Sequence, residues 1–296
     1  MQRENIQFVS KGLKCGGWFY RASGNAQLPC IIMAPGFGGV KEKGLDSYAK
    51  AFAAAGYHVL VFDYRHYGES EGDPKCILDI EKQLEDWQAA IAFARELKEV
   101  DPEKIILWGT SFSGGHVVSA AVKDGRIAAV ISQVPNLDGR ATARANSPIH
   151  IIQLLYASLR DRCQLALGMR PFYIPSFGKP GDLAAMTDPG TLEAFTKIDP
   201  SDYDFSKDNV AGRVFLNVLS YSPGKLAEKM IIPWLVQIAQ YDKTTPIGPA
   251  IKAAKQAPKS RLIMYKCGHF EMYIPPNFDQ VLQDQLLFLN KACPID

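Results

Sequence analysis

The fold of this chain is decided by residues 107–115, which read LWGTSFSGG. They follow a short apolar run that predicts a buried strand, and they precede His116–Lys123, which predicts a helix. A serine between small residues at a tight strand-to-helix turn is typical of a nucleophile elbow, because the strained turn leaves little room for side chains two residues away. Those neighbours are Gly109 and Ser113, so Ser111 is the candidate nucleophile.

The elbow departs from the usual Gly-x-Ser-x-Gly pattern at its last position, where Ser113 stands and Gly114 follows one place later. Because serine is small, the turn is interpreted as a variant elbow, with an ordinary glycine-rich connection as the alternative. Because the turn leads into a helix N-terminus, the backbone N–H of Phe112 is a candidate donor to an oxyanion.

A serine hydroxyl becomes a good nucleophile only when a base removes its proton and a carboxylate orients that base. His269 is the best candidate for the base, because it lies on a loop directly after the apolar strand predicted at 261–265. The other four histidines are interpreted as surface or packed residues: His58, His66, His116 and His150.

The acid is expected at the end of the strand before the histidine strand. Asp242 is the main candidate, because it follows the apolar run Ile231–Ala239 and precedes the histidine in the order Ser, acid, His. Its alternative role is that of a turn or helix-cap aspartate. Asp138, after another predicted strand, is the main rival, and the remaining candidate acids are Asp63, Glu69 and Glu271.

A second oxyanion donor is expected on an earlier loop. The apolar strand predicted at 30–34 leads into residues 35–39, which read PGFGG. Glycines let the backbone approach a substrate and turn an N–H toward it, and the predicted donor is the N–H of Phe37. A simple glycine-rich turn is the alternative.

These features together carry a family resemblance. A further one is the segment 61–70, VFDYRHYGES, which looks like the loop after the fourth strand of α/β-hydrolases. Residues 34–42, APGFGGVKE, and 109–116, GTSFSGGH, resemble the branch near dienelactone hydrolases and X-prolyl-peptidase-like hydrolases, which includes fungal polyketide transferases. Pro35 stands where that loop usually has histidine. The resemblance implies a serine-hydrolase fold and triad and leaves the substrate open.

The order of predicted elements agrees with this fold class. Strands alternate with helices, which predicts an α/β-hydrolase fold with a mostly parallel sheet and helices on both faces. The predicted strands are 5–10, 13–22, 30–34, 58–62, 104–107, 128–134, 231–239 and 261–265, and the predicted helices are 44–55, 79–99, 116–123, 148–167, 247–257 and 277–289. We expect residues 1–138 and 230–296 to form the hydrolase core and 139–229 to form an inserted, mainly helical cap.

Aromatic residues are frequent in the predicted cap. They favour an apolar lid over an apolar acyl pocket, although each of them could instead pack in the cap's own core. The substrate-binding candidates are Tyr156, Phe172, Tyr173 and Phe177, and the other aromatics considered are Phe195, Tyr203 and Phe215.

Composition excludes several classes of protein. The chain has 296 residues, 47% of them hydrophobic and 22% charged, with a formal net charge of +2, and this composition is typical of a soluble globular protein. No basic run suggests nucleic acid, and no apolar run approaches the ~20 residues that span a bilayer.

A polar N-terminus and six widely spaced cysteines predict a cytoplasmic location. No metal or organic cofactor is expected, because zincin, phosphate-loop and dinucleotide motifs are lacking.

The sequence therefore predicts a serine hydrolase that cleaves an ester, thioester or lactone of an apolar acyl substrate, free or bound to a carrier. Three alternatives stay open: an acyltransferase or cyclising release enzyme of polyketide-type biosynthesis, a peptidase, and a non-catalytic binding protein. The sequence also leaves monomer and homodimer open.

Overall fold

The computed structural model describes residues 2–24, 27–198 and 208–295, so Tyr203 lies outside the described residues. The strands are β1 Gln2–Ser10, β2 Leu13–Arg21, β3 Leu28–Ala34, β4 His58–Phe62, β5 Val100–Thr110, β6 Ala129–Gln133, β7 Tyr173–Pro175, β8 Asn209–Ala211, β9 Trp234–Ala239 and β10 Ser260–Tyr265. The α-helices are α1 Leu45–Ala54, α2 Ile80–Glu96, α3 Phe112–Asp124, α4 Gly139–Ala145, α5 Pro148–Ala166, α6 Thr191–Ile198, α7 Val214–Val218, α8 Ile247–Gln256 and α9 Asn277–Ala292.

Eight strands form the main sheet in the order β1-β2-β4-β3-β5-β6-β9-β10. The strands from β4 to β10 in this order are parallel to their neighbours, whereas β1 pairs antiparallel with β2 and β2 with β4. The strand order reverses between β3 and β5, and ligands of such sheets bind beyond the carboxyl ends of the strands at this point. The loop after β3 and the turn after β5 both lie there.

Helices cover both faces of the sheet, because the central strands are buried on both sides. On one face, Trp87 and Ile91 of α2 and Val117 of α3 pack against the strands. On the other face, Phe52 of α1 and Phe288 of α9 do the same. The sequence of each helix therefore determines which of its side chains are apolar. Packing on the two faces of the sheet gathers these side chains into two core layers.

Helix α3 begins at Phe112, four residues earlier than expected. The expectation was wrong because Gly114 and Gly115 read as a loop, whereas the structure uses them for close packing. A Cβ atom on Gly114 would lie 2.9 Å from Pro135, and one on Gly115 would lie 2.3 Å from the carbonyl oxygen of Asn136. Close approach of the loop after β6 thus outweighs the low helix propensity of glycine.

The segment 139–229, predicted as the cap, contains α4 to α7 and the small antiparallel sheet of β7 and β8. Asp161 on α5 holds this segment together. Its buried carboxylate accepts hydrogen bonds from the Arg213 guanidinium at 2.6 Å and from the Phe172 N–H at 2.8 Å. None of the helices in the described part of the chain is long and apolar enough to cross a bilayer.

Candidate active site

Ser111 occupies a strained turn between β5 and α3. Its φ of 55° and ψ of −119° lie in a region that residues with a side chain rarely adopt. Two backbone hydrogen bonds of 2.9 Å hold it there, one from its N–H to the carbonyl of Gln133 and one from the N–H of Asn136 to its own carbonyl. The surrounding structure thus stabilises a conformation that local propensity disfavours.

The residues on either side explain why the turn needs small side chains. A Cβ atom on Gly109 would lie 2.3 Å from the carbonyl oxygen of Ser113. Ser113 is fully buried, and its hydroxyl lies 2.9 Å from the Tyr64 hydroxyl. Tyr64 was not selected from the sequence, although it belongs to the 61–70 segment that carries part of the family resemblance.

The structure brings Asp242 and His269 together. His269 Nδ1 lies 2.7 Å from Asp242 Oδ2, and their side chains are 3% and 1% exposed. Asp242 also accepts hydrogen bonds from the backbone N–H groups of Thr244 and Thr245, both at 2.8 Å. It is therefore both a turn aspartate and the partner of the histidine. Within the described residues, the buried Nε2 of His269 has no hydrogen-bond partner.

The rival acids have other partners. Asp138 caps α4 and accepts two backbone hydrogen bonds there. Glu271 accepts one from the N–H of Gly268 at 2.5 Å. Asp63 and Glu69 are both bound to the ammonium group of Lys41.

The two predicted oxyanion donors flank Ser111. Phe112 is the first residue of α3, so its N–H has no partner within the helix. Phe37 lies on the loop after β3, and a Cβ atom on the adjacent Gly36 would be only 3.0 Å from the Cβ of Ser111. The Phe37 and Phe112 rings meet edge to face with centroids 5.6 Å apart. The loop thus packs closely against the turn that carries the candidate nucleophile.

A buried ion pair anchors the end of this loop. Both groups of the pair are fully buried, with Lys41 Nζ 2.8 Å from Asp63 Oδ2. The backbone N–H of Lys41 donates to the other oxygen of Asp63 at 2.7 Å. Burial disfavours the charge of Lys41, but Asp63 and two further carboxylates raise the pKa of Lys41 above its ordinary value. Burial raises the pKa of Asp63 to about 6. The sequence did not reveal this pair.

Two cavities meet at Ser111 and Phe37. The first has a volume of about 110 Å³ and is mainly apolar. Its lining from the 139–229 segment includes Ile151, Leu154, Leu155, Met186, Phe215 and Val218. The second, of about 50 Å³, is lined by Phe177, Phe195 and Phe270 among others. The elbow therefore opens onto apolar space built largely by the segment that follows β6.

The four aromatic candidates for substrate binding lie in different places. Phe177 lines the second cavity and stacks on Phe195 with ring centroids 3.9 Å apart. Tyr156, Phe172 and Tyr173 are not among the lining residues of either cavity. Tyr156 is 52% exposed because α5 turns it outward. The aromatic residues of the 139–229 segment predicted an apolar pocket. Because of the rotation of α5, however, the residues of this helix that line the first cavity are aliphatic, and Tyr156 is not one of them.

His116 has a structural position close to the elbow. It is fully buried, donates from Nε2 to Gln83 Oε1 at 2.9 Å and accepts at Nδ1 from the Tyr221 hydroxyl at 2.6 Å. Burial lowers the pKa of His116 to about 3. The imidazole is thus a neutral link between α2, α3 and the segment that returns toward β9.

Comparisons with known proteins agree with this geometry. The family model of the X-Pro dipeptidyl-peptidases (S15 family) matches residues 19–165. The quorum-quenching protein AidA of Acinetobacter baumannii is 38% identical over 291 residues, which cover 98% of this chain and 95% of AidA. The crystal structure of the α/β hydrolase GrgF from Penicillium superimposes with a TM-score of 0.83 and 24% identity, covering 100% of both chains. The chain belongs to the α/β-hydrolase superfamily.

This α/β hydrolase also resembles polyketide transferase af380 of Aspergillus fumigatus, with 30% identity over 300 residues that cover 98% of this chain and 99% of the relative. The predicted fold and the predicted branch of the superfamily are thereby confirmed. The relatives place the chain in an enzyme family of hydrolases and transferases.

Proposed function

We propose that this α/β hydrolase is a serine hydrolase that cleaves an ester, thioester or lactone of an apolar acyl substrate. The observation that carries the proposal is the 2.7 Å contact between Asp242 and His269, which leaves His269 Nε2 without a partner among the described residues. In a catalytic triad, the carboxylate of such a pair orients the histidine, which acts as the base for a serine. Ser111, on its strained turn, is the proposed serine.

In the proposed mechanism, His269 Nε2 takes the hydroxyl proton of Ser111 as the oxygen attacks the acyl carbon. Asp242 keeps the proton of the imidazole on Nδ1 and stabilises the charged ring that forms. The N–H groups of Phe37 and Phe112 receive the oxyanion, and loss of one such donor typically costs about 3 kcal/mol in the transition state.

The tetrahedral intermediate then collapses. The leaving group departs with the proton from His269, and the acyl group stays on Ser111 as an ester. Water gives a proton to His269 and attacks this ester, which releases the acid and restores the serine hydroxyl. Each proton that the histidine accepts is returned within the cycle.

The lining of the first cavity supports an apolar acyl group. Ile151, Leu154 and Leu155 of α5 offer aliphatic contacts close to Ser111. Burial of each methylene of an acyl chain there would contribute about 0.8 kcal/mol. We therefore propose acyl substrates that are medium-sized and apolar, either free or bound to a carrier, and a cytoplasmic location as predicted from the cysteines.

Acyl transfer is the second candidate function. The second cavity also meets Ser111, which favours a site where an alcohol or amine acceptor could lie while the acyl group occupies the first. The polyketide transferases among the relatives support this alternative. Product analysis with added alcohols and amines separates the two functions, because exclusive hydrolysis with all acceptors argues against transfer.

The proposal is tested by intact mass after p-nitrophenyl esters of increasing chain length are added. We expect an acyl adduct and turnover with the wild type and neither with Ser111→Ala. Ser220→Ala is the matched control, because Ser220 is an exposed serine outside both cavities, and this variant should keep the adduct. Wild-type turnover by Ser111→Ala would overturn the mechanism.

A further inference from the structure

Helix α5 has apolar side chains both toward the first cavity and toward solvent. Its inner face lines the first cavity through Ile151, Leu154 and Leu155. Its outer face is exposed to solvent, with Ile149 71%, Ile152 65%, Tyr156 52% and Leu159 58% exposed. A helix that is apolar on both faces is normally covered on both, since an amphipathic surface helix needs only one apolar stripe.

The exposed residues follow the spacing of a coiled coil. Positions 149, 152, 156, 159, 163 and 166 alternate steps of three and four residues over the length of the helix, as do the a and d positions of heptads. We call this set the outer seam of α5. It consists of Ile149, Ile152, Tyr156, Leu159, Cys163 and Ala166, all of them exposed.

The outer seam changes in size from one end of the helix to the other. Its first half carries large side chains, whereas its last two members are Cys163 and Ala166. Parallel pairing with a second copy would set large against large at one end and leave a gap at the other. Antiparallel pairing sets each large residue against a smaller one, which suits the interdigitation of a packed interface.

From these observations we propose that two copies of this chain pair through the outer seam of α5, antiparallel about a two-fold axis near Ala157 and Ser158. In this register Ile149 packs on the partner's Ala166, Ile152 on the partner's Cys163, and Tyr156 on the partner's Leu159. Each contact occurs twice, as a closed two-fold interface requires.

The charges beside the seam are compatible with this register. Arg160 lies on one side of the seam, where it donates to the Tyr156 hydroxyl of its own chain at 3.0 Å, and in this register it meets the partner's Gln153. Arg162 lies on the other side and donates to Asn217 of its own chain at 2.8 Å. Asp161 faces inward and is bound to Arg213. The pairing therefore brings no arginine against another.

Further exposed apolar side chains lie next to the outer seam at the end of α5. Beyond the seam, Leu167 and Met169 follow the end of α5 and are 74% and 53% exposed. An interface of standard size buries ~800 Å² on each partner, and most of its apolar part would come from the outer seam, Leu167 and Met169.

Sedimentation velocity tests the proposal. We expect the wild type to sediment as a dimer at micromolar concentration, and Ile152→Glu and Leu159→Glu to sediment as monomers with unchanged circular dichroism. Ile231→Glu is the matched control, because Ile231 is 66% exposed but lies outside α5, and this variant should remain dimeric. A monomeric wild type, or a dimer that both seam variants leave intact, overturns the proposal.

Disulfide formation tests the register. In Ile152→Cys, the new thiol faces the partner's Cys163, and a copper–phenanthroline oxidant should remove two electrons and two protons to link the chains. Ile149→Cys, which faces the partner's Ala166, should stay unlinked. Rapid linkage of the wild type through Cys163 would instead indicate parallel pairing and overturn the register. If the wild type is monomeric and co-sediments with phosphatidylglycerol vesicles, the outer seam binds an anionic lipid surface instead of a second copy.

Discussion

The hydroxyl of Tyr64 lies 2.9 Å from the hydroxyl of Ser113, and Trp87 Nε1–H donates to the same Tyr64 oxygen at 2.9 Å. All three side chains are buried. Because Trp87 can only donate, Tyr64 accepts from it, and either hydroxyl can donate in the bond between Tyr64 and Ser113. The serine that replaces the usual glycine of the elbow is therefore a hydrogen-bonded support of the turn.

This relationship predicts coupled effects on stability. Tyr64→Phe and Ser113→Ala should each lower the free energy of unfolding by about 1–3 kcal/mol, because each leaves a buried polar group without its partner. The double variant should lose less than the sum of the two, as urea unfolding of all four proteins would show. Strictly additive losses would mean that the hydrogen bond contributes nothing.

Gly36 predicts a steric effect on catalysis. In Gly36→Ala the new methyl group would lie 3.0 Å from the Cβ of Ser111 and 3.3 Å from the carbonyl oxygen of Thr110, so the loop that carries Phe37 must shift. Misplacing one oxyanion donor should lower kcat by about 10²–10³-fold. Gly248→Ala on α8 is the control, because its methyl group would meet nothing within 4 Å, and it should retain full activity. Equal activity of the two variants would contradict the proposed donor.

The two rival acids predict opposite outcomes. Asp242→Asn should lower kcat by about 10⁴-fold, because an amide no longer holds the imidazole in the required tautomer. Asp138→Asn should keep kcat, since Asp138 caps α4 and asparagine caps helices equally well. Ester hydrolysis by both variants, with thermal melting as a check on folding, distinguishes them. A larger loss of activity in Asp138→Asn would reverse the assignment.

The cavity predicts acyl-chain selectivity. Leu155→Trp should fill part of the first cavity and shift the preferred p-nitrophenyl ester to a shorter chain, with kcat/KM for the longest ester falling most. Ile231→Trp adds the same ring at an exposed position and should leave the chain-length profile unchanged. An unaltered profile in Leu155→Trp would place the acyl chain elsewhere.

His116 predicts a dependence of stability on acid. Burial lowers the pKa of His116 from 6.5 to about 3, so the unfolded chain binds a proton there that the folded chain does not. Its contribution to stability is therefore present above pH 6.5 and is lost as the pH falls toward 3, at up to ~1.4 kcal/mol per pH unit. Urea unfolding between pH 7 and 4 measures how the free energy of unfolding changes with pH. This dependence should be shallower for His116→Gln than for the wild type.

Tyr221→Phe is the control for this effect. It removes the hydrogen bond to His116 and leaves the imidazole in place, so it should lower stability across the pH range while keeping the wild-type slope. If His116→Gln keeps the wild-type dependence of the unfolding free energy on pH, groups other than His116 bind the protons that destabilise the folded chain in acid.

Much of the fold could be read from the sequence because its signals are local. Apolar runs of strand length alternate with helical periodicity, and the elbow, Asp242 and His269 each follow such a run. The start of α3 was misjudged because Gly114 and Gly115 pack against a loop that only the assembled sheet brings near. The roles of Ser111, Asp242, His269, Phe37 and Phe112 stay a prediction, to which the structure adds the contact between acid and histidine.

By itself, the sequence determined the order of strands and helices outside the 139–229 segment, the elbow around Ser111 and the family, since each depends on residues close together in the chain. Tertiary structure alone decided which side chains line the cavities and what supports the turn at Ser111 and the loop that carries Phe37. Lys41 meets Asp63 across 22 positions and Tyr64 meets Ser113 across 49, and α5 is rotated so that aliphatic residues face the cavity while Tyr156 faces outward. Pairings across such distances depend on how strands register and helices pack, and no local pattern of residues encodes them.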